Sequence, residues 1–198
     1  MLTFTPNTGD AFFDYYINHV SPTTYAFNLG QKMTDANQFV PFIEELQKHF
    51  YSKLDELARE QPKGTLVSYV QGHIQGFHPF FGKNILERLI GGFLHHKKCN
   101  VNFNTHVGGH TCSADFYIGE DYVVDTTISI RERLIDKLKY QAIYPTRNLV
   151  VIAKESTSSK RIKQTFAEAG VPIFIPDHLC QKDECFKPLS TLVEHFNP

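Results

Sequence analysis

The 198 residues are enough for one sizeable hydrophobic core and too few for two independent domains of ordinary size. With 41% apolar and 21% charged residues the composition is that of an ordinary globular protein, and a formal charge of −1 excludes an indiscriminate polyanion binder, although not a local basic patch. No apolar run approaches the roughly 18 to 20 residues of a membrane helix; the opening Met1-Leu2-Thr3-Phe4-Thr5-Pro6-Asn7 does not read as a secretory signal, so a cytoplasmic protein is expected, with Cys99, Cys112, Cys180 and Cys185 as reduced thiols.

Residues 36–59 have helical spacing: Phe39, Phe42, Ile43, Leu46, Phe50, Leu54 and Leu57 recur at three and four, and Gln61-Pro62-Lys63-Gly64 ends the pattern. A second helix is predicted from Asn84 to Lys97, on a stripe of Ile85, Leu89 and Phe93 widened by Leu86, Ile90 and Leu94. The period then changes to two. Val101 and Phe103, a hairpin over Ser113–Thr127, the run Asn148–Ala153 and the short Pro172–Ile175 read as strands. Helices are expected between them, from Ile130 to Ala142 and from about Ser159 to Ala169. This alternation predicts an α/β fold, with a mixed central sheet flanked by helices and a helical N-terminal region.

Two carboxylates stand out in the hairpin. Asp115 and Asp125 each lie in an apolar run where a buried strand should carry no charge, and burying an ionised acid is costly unless it is paired or bound to a metal. Register decides whether they meet: a two-residue Gly119-Glu120 turn would set Asp115 against Val124, so a three-residue loop or a bulge is needed to bring the acids together. Thr127 falls on the same face of its strand as Asp125. On the helix that follows, Ile130, Leu134 and Leu138 form the apolar stripe, and Lys137 falls beside it where lysine is rarely left without a partner. Two acids and a lysine suit Mg²⁺, which takes one or two carboxylates, several waters and a substrate phosphate, and point to attack of a metal-activated water on a phosphodiester.

The order of these residues, Glu87 on a helix, Asp115 on one strand and an acid-x-Thr motif on the next, resembles the PD-(D/E)xK nuclease core. More narrowly, Glu87-Arg88-Leu89-Ile90-Gly91-Gly92-Phe93-Leu94, Asp115-Phe116-Tyr117-Ile118-Gly119, Thr126-Thr127 and Leu134-Ile135-Asp136-Lys137 resemble a family of type II restriction endonucleases. The resemblance implies a restriction-endonuclease-like core over residues 83–180 of a single nuclease domain, with residues 1–82 left for DNA recognition or dimerisation. It also implies Mg²⁺-dependent, sequence-specific cleavage of double-stranded DNA, with Asp115, Asp125 and Glu87 as metal ligands and Lys137 stabilising charge, in a homodimer at least on DNA. Thr127 stands where the superfamily has lysine and Ala114 where it has proline, and Lys137 sits where a lysine supplied from the neighbouring helix is expected.

Two other readings stay open: a structure-selective or repair nuclease of the same superfamily, and a non-catalytic DNA-binding or zinc-stabilised module. The second draws on His106, His110 and Cys112, which gather in a glycine-containing loop without the spacing of a strong zinc signature. Base-reading residues, recognition sequence and cut position have no signature in the chain.

Overall fold

The computed structural model describes residues 30–44, 48, 59, 86–103, 114–129, 138–155, 160–180 and 186–198. Six strands form one sheet in the order β1 (Val101–Phe103), β2 (Phe116–Ile118), β3 (Tyr122–Ser129), β4 (Asn148–Glu155), β5 (Ile173–Ile175), β6 (Phe186–Pro188). β2 runs antiparallel to both of its neighbours, β1 and β3, and β3 to β6 are parallel. Parallel neighbours need crossover connections, and the chain supplies helices Lys139–Ile143 between β3 and β4 and Lys160–Glu168 between β4 and β5. The expected mixed sheet with flanking helices is therefore the architecture found.

Alternation along the central strands divides the core into two layers. Val124, Val150, Ile152 and Phe174 face one side, where they meet Phe39 and Ile43, the helix over residues 86–96, and Leu192 and Phe196 of the C-terminal helix Leu192–Phe196. Val123, Leu149, Val151, Ala153, Ile173 and Ile175 face the other, against Ile162 and Phe166 of helix Lys160–Glu168. Of the helix expected over 36–59, residues 39–44 are helical and follow a 3-10 turn, Ala36–Gln38, closed by a capping box between Asp35 and Gln38. Its remainder, apart from residues 48 and 59, lies outside the described residues, as do Lys137, His106, His110 and Cys112.

Three features were not anticipated. β4 continues two residues past the apolar run, to Glu155, and carries Lys154 within it. β6 and the helix Leu192–Phe196 extend the fold beyond residue 180. β6 is three residues long and ends in a proline, which suits only an edge strand, so it has no alternating pattern to read.

The paired glycines of the helix over 86–96 also find their reason here. Gly in a helix interior costs about 1 kcal/mol relative to Ala, yet a Cβ at Gly91 would meet the Phe103 ring at 2.4 Å, and a Cβ at Gly30 would stand 2.0 Å from the Gly92 carbonyl carbon. Backbone passes backbone at that point. Gly30→Ala is therefore expected to destabilise the fold by about 1–3 kcal/mol, the range for overpacking a tight contact, as read by urea denaturation; an unchanged midpoint would show that the two segments do not touch.

Candidate active site

Asp115 immediately precedes β2, and Asp125 lies midway along β3. Ile118 pairs with Tyr122, so the hairpin loop has the three residues Gly119, Glu120 and Asp121, and Gly119 adopts a left-handed φ of +55°. That register, continued, would set Asp115 opposite Asp125. It is interrupted at once by a β-bulge: Phe116 is the ladder partner of Val124, and the Asp115 amide also donates to the Val124 carbonyl, at 3.1 Å, so two residues stand against one.

The bulge frees the Asp115 side chain to replace the ladder. Its Oδ2 accepts from the Thr126 amide at 2.7 Å and from the Thr126 hydroxyl at 2.8 Å. Because a strand amide points along the plane of the sheet, the carboxylate sits in that plane beside β3, at Thr126, the residue that follows Asp125 in the chain. Both acids are enclosed, Asp115 at 1% and Asp125 at 0% exposure. Charge-assisted hydrogen bonds of this kind hold a carboxylate in one orientation. The Asp125 oxygen Oδ2 is buried and accepts no hydrogen bond, although the residue takes part in other interactions. By alternation Asp125 and the half-buried Thr127 lie on the side of Val123 and Val151, whereas Thr126 lies on the side of Val124 and Ile152.

Glu87 approaches from the covering helix and is 8% exposed. That helix turns back into β1 through residues 97–100, where the Cys99 amide donates to the Leu94 carbonyl at 2.9 Å and Lys98 takes a left-handed φ of 69°. β1 runs in the same direction as β3, so the early residues of the helix, Glu87 among them, lie at the end of the sheet that carries Asp115 and Asp125. Among the described residues no three Asp, Glu, His or Cys side chains gather into a group able to hold a metal ion, so Glu87 does not join both aspartates in one cluster. Carboxylates such as those of Asp115 and Asp125 are the kind of ligand that a hard divalent cation, completed by water, takes in ones and twos.

Two basic residues at or near this site carry no signal in the sequence analysis. Arg88 follows Glu87, and its Nε and Nη1 atoms are buried without a hydrogen bond, a costly state for a cation that an anion would relieve. Lys154, on β4, is 8% exposed and pairs with Glu44 Oε1 at 3.3 Å. What distinguishes them is burial, of the Arg88 guanidinium atoms and of the Lys154 side chain.

The opposite end of the sheet is built differently. A cavity of about 460 Å³ is lined by Tyr122, Asn148, Lys187 and His195 among others, at the starts of β3 and β4. Burial and the neighbouring Lys187 hold the His195 imidazole below its ordinary pKa. Near the hairpin loop, burial and the hydrogen bond with Tyr144 push the Tyr117 phenol up to about 12, and Arg147 lies over the Tyr117 ring while pairing with Glu120 at 2.9 Å. Arg147 is thereby occupied away from the acids.

No family model matches the sequence, and no curated protein matches it. Solved structures do match. Metal-depleted Ecl18kI in complex with uncleaved, modified DNA superposes with a TM-score of 0.63 at 8% identity, covering 92% of this chain and 79% of that one. The restriction endonuclease PspGI in its substrate DNA complex gives 0.62 at 7% identity, covering 97% of this chain and 92% of the other. A second Ecl18kI complex, with uncleaved DNA, gives 0.52 at 10% identity over 97% and 83%. At such identities the likeness speaks to architecture alone, and on that point it agrees with the sheet order and flanking helices described above: this chain has the restriction-endonuclease-like fold.

Proposed function

We propose that the protein is a Mg²⁺-dependent endonuclease that hydrolyses phosphodiester bonds of double-stranded DNA at specific sites. The observation that carries this reading is the Asp115 carboxylate, buried in the plane of the sheet by two bonds from Thr126 and next in place to a second buried acid, Asp125. A sheet does not spend a bulge and two enclosed charges on packing, for which apolar residues serve better. The neighbours named above are complexes with DNA, which supports DNA as the substrate.

Asp115 and Asp125 would hold the cation, with Thr126 fixing the orientation of the first. When bound, the cation would lower the pKa of a coordinated water and neutralise charge on the reacting phosphate. Glu87 would act from the covering helix through water. Thr127 leaves the lysine position of its strand without a cation, and Lys137, outside the described residues, is proposed to stabilise the developing charge. Cutting both strands at a palindromic site is most simply done by two equivalent subunits, so a homodimer on DNA belongs to the proposal.

The deciding experiment is digestion of unmethylated phage DNA with Mg²⁺ or with EDTA, resolved on a gel. Discrete bands with Mg²⁺ alone are expected. A metal-dependent smear would move the reading to a structure-selective or repair nuclease, and intact DNA across several metals would leave a binding module.

A further inference from the structure

Lysine is among the residues least often enclosed by protein, yet Lys154 sits in the last part of β4 at 8% exposure. Its strand position places it on the side of Val150 and Ile152, the side covered by the N-terminal segment that includes helical residues 39–44. Its ammonium reaches Glu44 Oε1 at 3.3 Å, and the Glu44 side chain is 60% exposed. The lysine side chain is thus largely enclosed, with its ammonium beside a carboxylate that stands largely in water. Such a pair contributes little to stability, and an apolar side chain would pack the same place at no desolvation cost, so stability does not account for a lysine here. An ammonium has three donors, and Glu44 supplies one oxygen.

The position of Lys154 along the sheet gives it a task. In the parallel register of β3 and β4, Thr126 pairs with Ile152 and Thr127 with Ala153. Lys154 is the next residue toward the end of the sheet that carries the acids, two residues or roughly 7 Å beyond the level of Thr126 on a neighbouring strand about 4.8 Å away. It is on the same side of the sheet as Thr126, the residue that holds Asp115. Thr127 offers no cation at that point of β3.

We propose that Lys154 is a DNA-phosphate contact whose ammonium Glu44 holds in the free protein, and that a backbone phosphate displaces the Glu44 carboxylate on binding. This rests on the nuclease reading above. It makes Glu44 a competitor of the substrate: the carboxylate occupies the cation that the phosphate needs. Removal of Glu44 and removal of Lys154 therefore change affinity in opposite directions, whereas a merely structural ion pair predicts the same direction for both.

The test is binding of a fluorescent duplex oligonucleotide to the full chain in EDTA, followed by anisotropy over a range of salt concentrations. Glu44→Gln is expected to bind about threefold more tightly, the scale of an exposed ion pair. Lys154→Met, which keeps the length of the stem, is expected to bind about tenfold more weakly and to lower the salt slope by about one. The double variant should match Lys154→Met, because Glu44 acts only through the lysine. Equal or weaker binding by Glu44→Gln, or wild-type binding by Lys154→Met, overturns the proposal. Thermal melting monitors the fold; should Lys154→Met fail to fold, Lys154→Arg, expected to retain binding, and the exposed Glu44→Gln decide. A wild-type chain that binds no duplex DNA overturns the nuclease reading itself, a result separate from either variant outcome.

Discussion

Asp115→Asn is expected to reduce Mg²⁺-dependent DNA cleavage by about three orders of magnitude or more while leaving the metal-free protein at least as stable as before. The catalytic loss follows from the chemistry: a neutral amide is a poor ligand for a hard cation, and charge stabilisation at a reacting phosphate is worth several kcal/mol. The stability result follows from the local geometry. Asn can still accept from the Thr126 amide and hydroxyl through its carbonyl oxygen, and it removes one of two charges enclosed at 1% and 0% exposure. Asp125→Asn is expected to behave in the same way. The measurements are single-turnover cleavage of a plasmid carrying the site and melting temperature in EDTA and in Mg²⁺. Wild type should melt higher with Mg²⁺, and the variants should lose that increment. A fully active Asp115→Asn protein would sink the mechanism; a strongly destabilised one would make Asp115 a structural residue.

Phe39→Ala is expected to remove about 3–5 kcal/mol of folding stability, a large share of the 5–15 kcal/mol that such domains possess. The resemblance covers only residues 83–180, yet Phe39 is 0% exposed in the main core and packs edge-on against Phe93, with ring centroids 5.1 Å apart at 84°. Truncation there opens a cavity between the N-terminal segment and the helix that carries Glu87, so a gap that collapses only partly is felt at the site as well as in the melt. Urea denaturation gives the change directly, and the melting temperature should fall by about 10 °C, since each kcal/mol shifts a domain of this size by about 2–4 °C. A loss under 1 kcal/mol would show that residues 39–44 are not docked on the core.

What was legible in the sequence is what depends on near neighbours in the chain. The helix over 86–96 shows as a stripe of Leu86, Leu89, Ile90, Phe93 and Leu94, all buried in the structure, because spacing at three and four is a local property of the α-helix. β3 and β4 show as apolar runs, and Asp115 and Asp125 stand out because a charge within such a run is costly wherever the strand goes. The alternation of strands and helices was enough to predict the mixed sheet.

Tertiary structure decided how those pieces meet. The hairpin has the three-residue loop that alignment of the acids requires, and the bulge then turns the Asp115 carboxylate into the ladder to meet Thr126, a balance of register that no spacing predicts. Lys154 simply follows the apolar run in the sequence, and it gains its place only because β4 continues through it and Glu44 comes to it from the N-terminal segment. The reason for Gly91 and Gly92 within a helix is likewise tertiary, since Phe103 and Gly30 lie against them. Each of these features is set by contacts between segments far apart in the chain. Local periodicity reports which face of an element is buried, whereas the partner on that face is chosen only when the whole chain packs, and it is at those junctions that this protein places its buried charges.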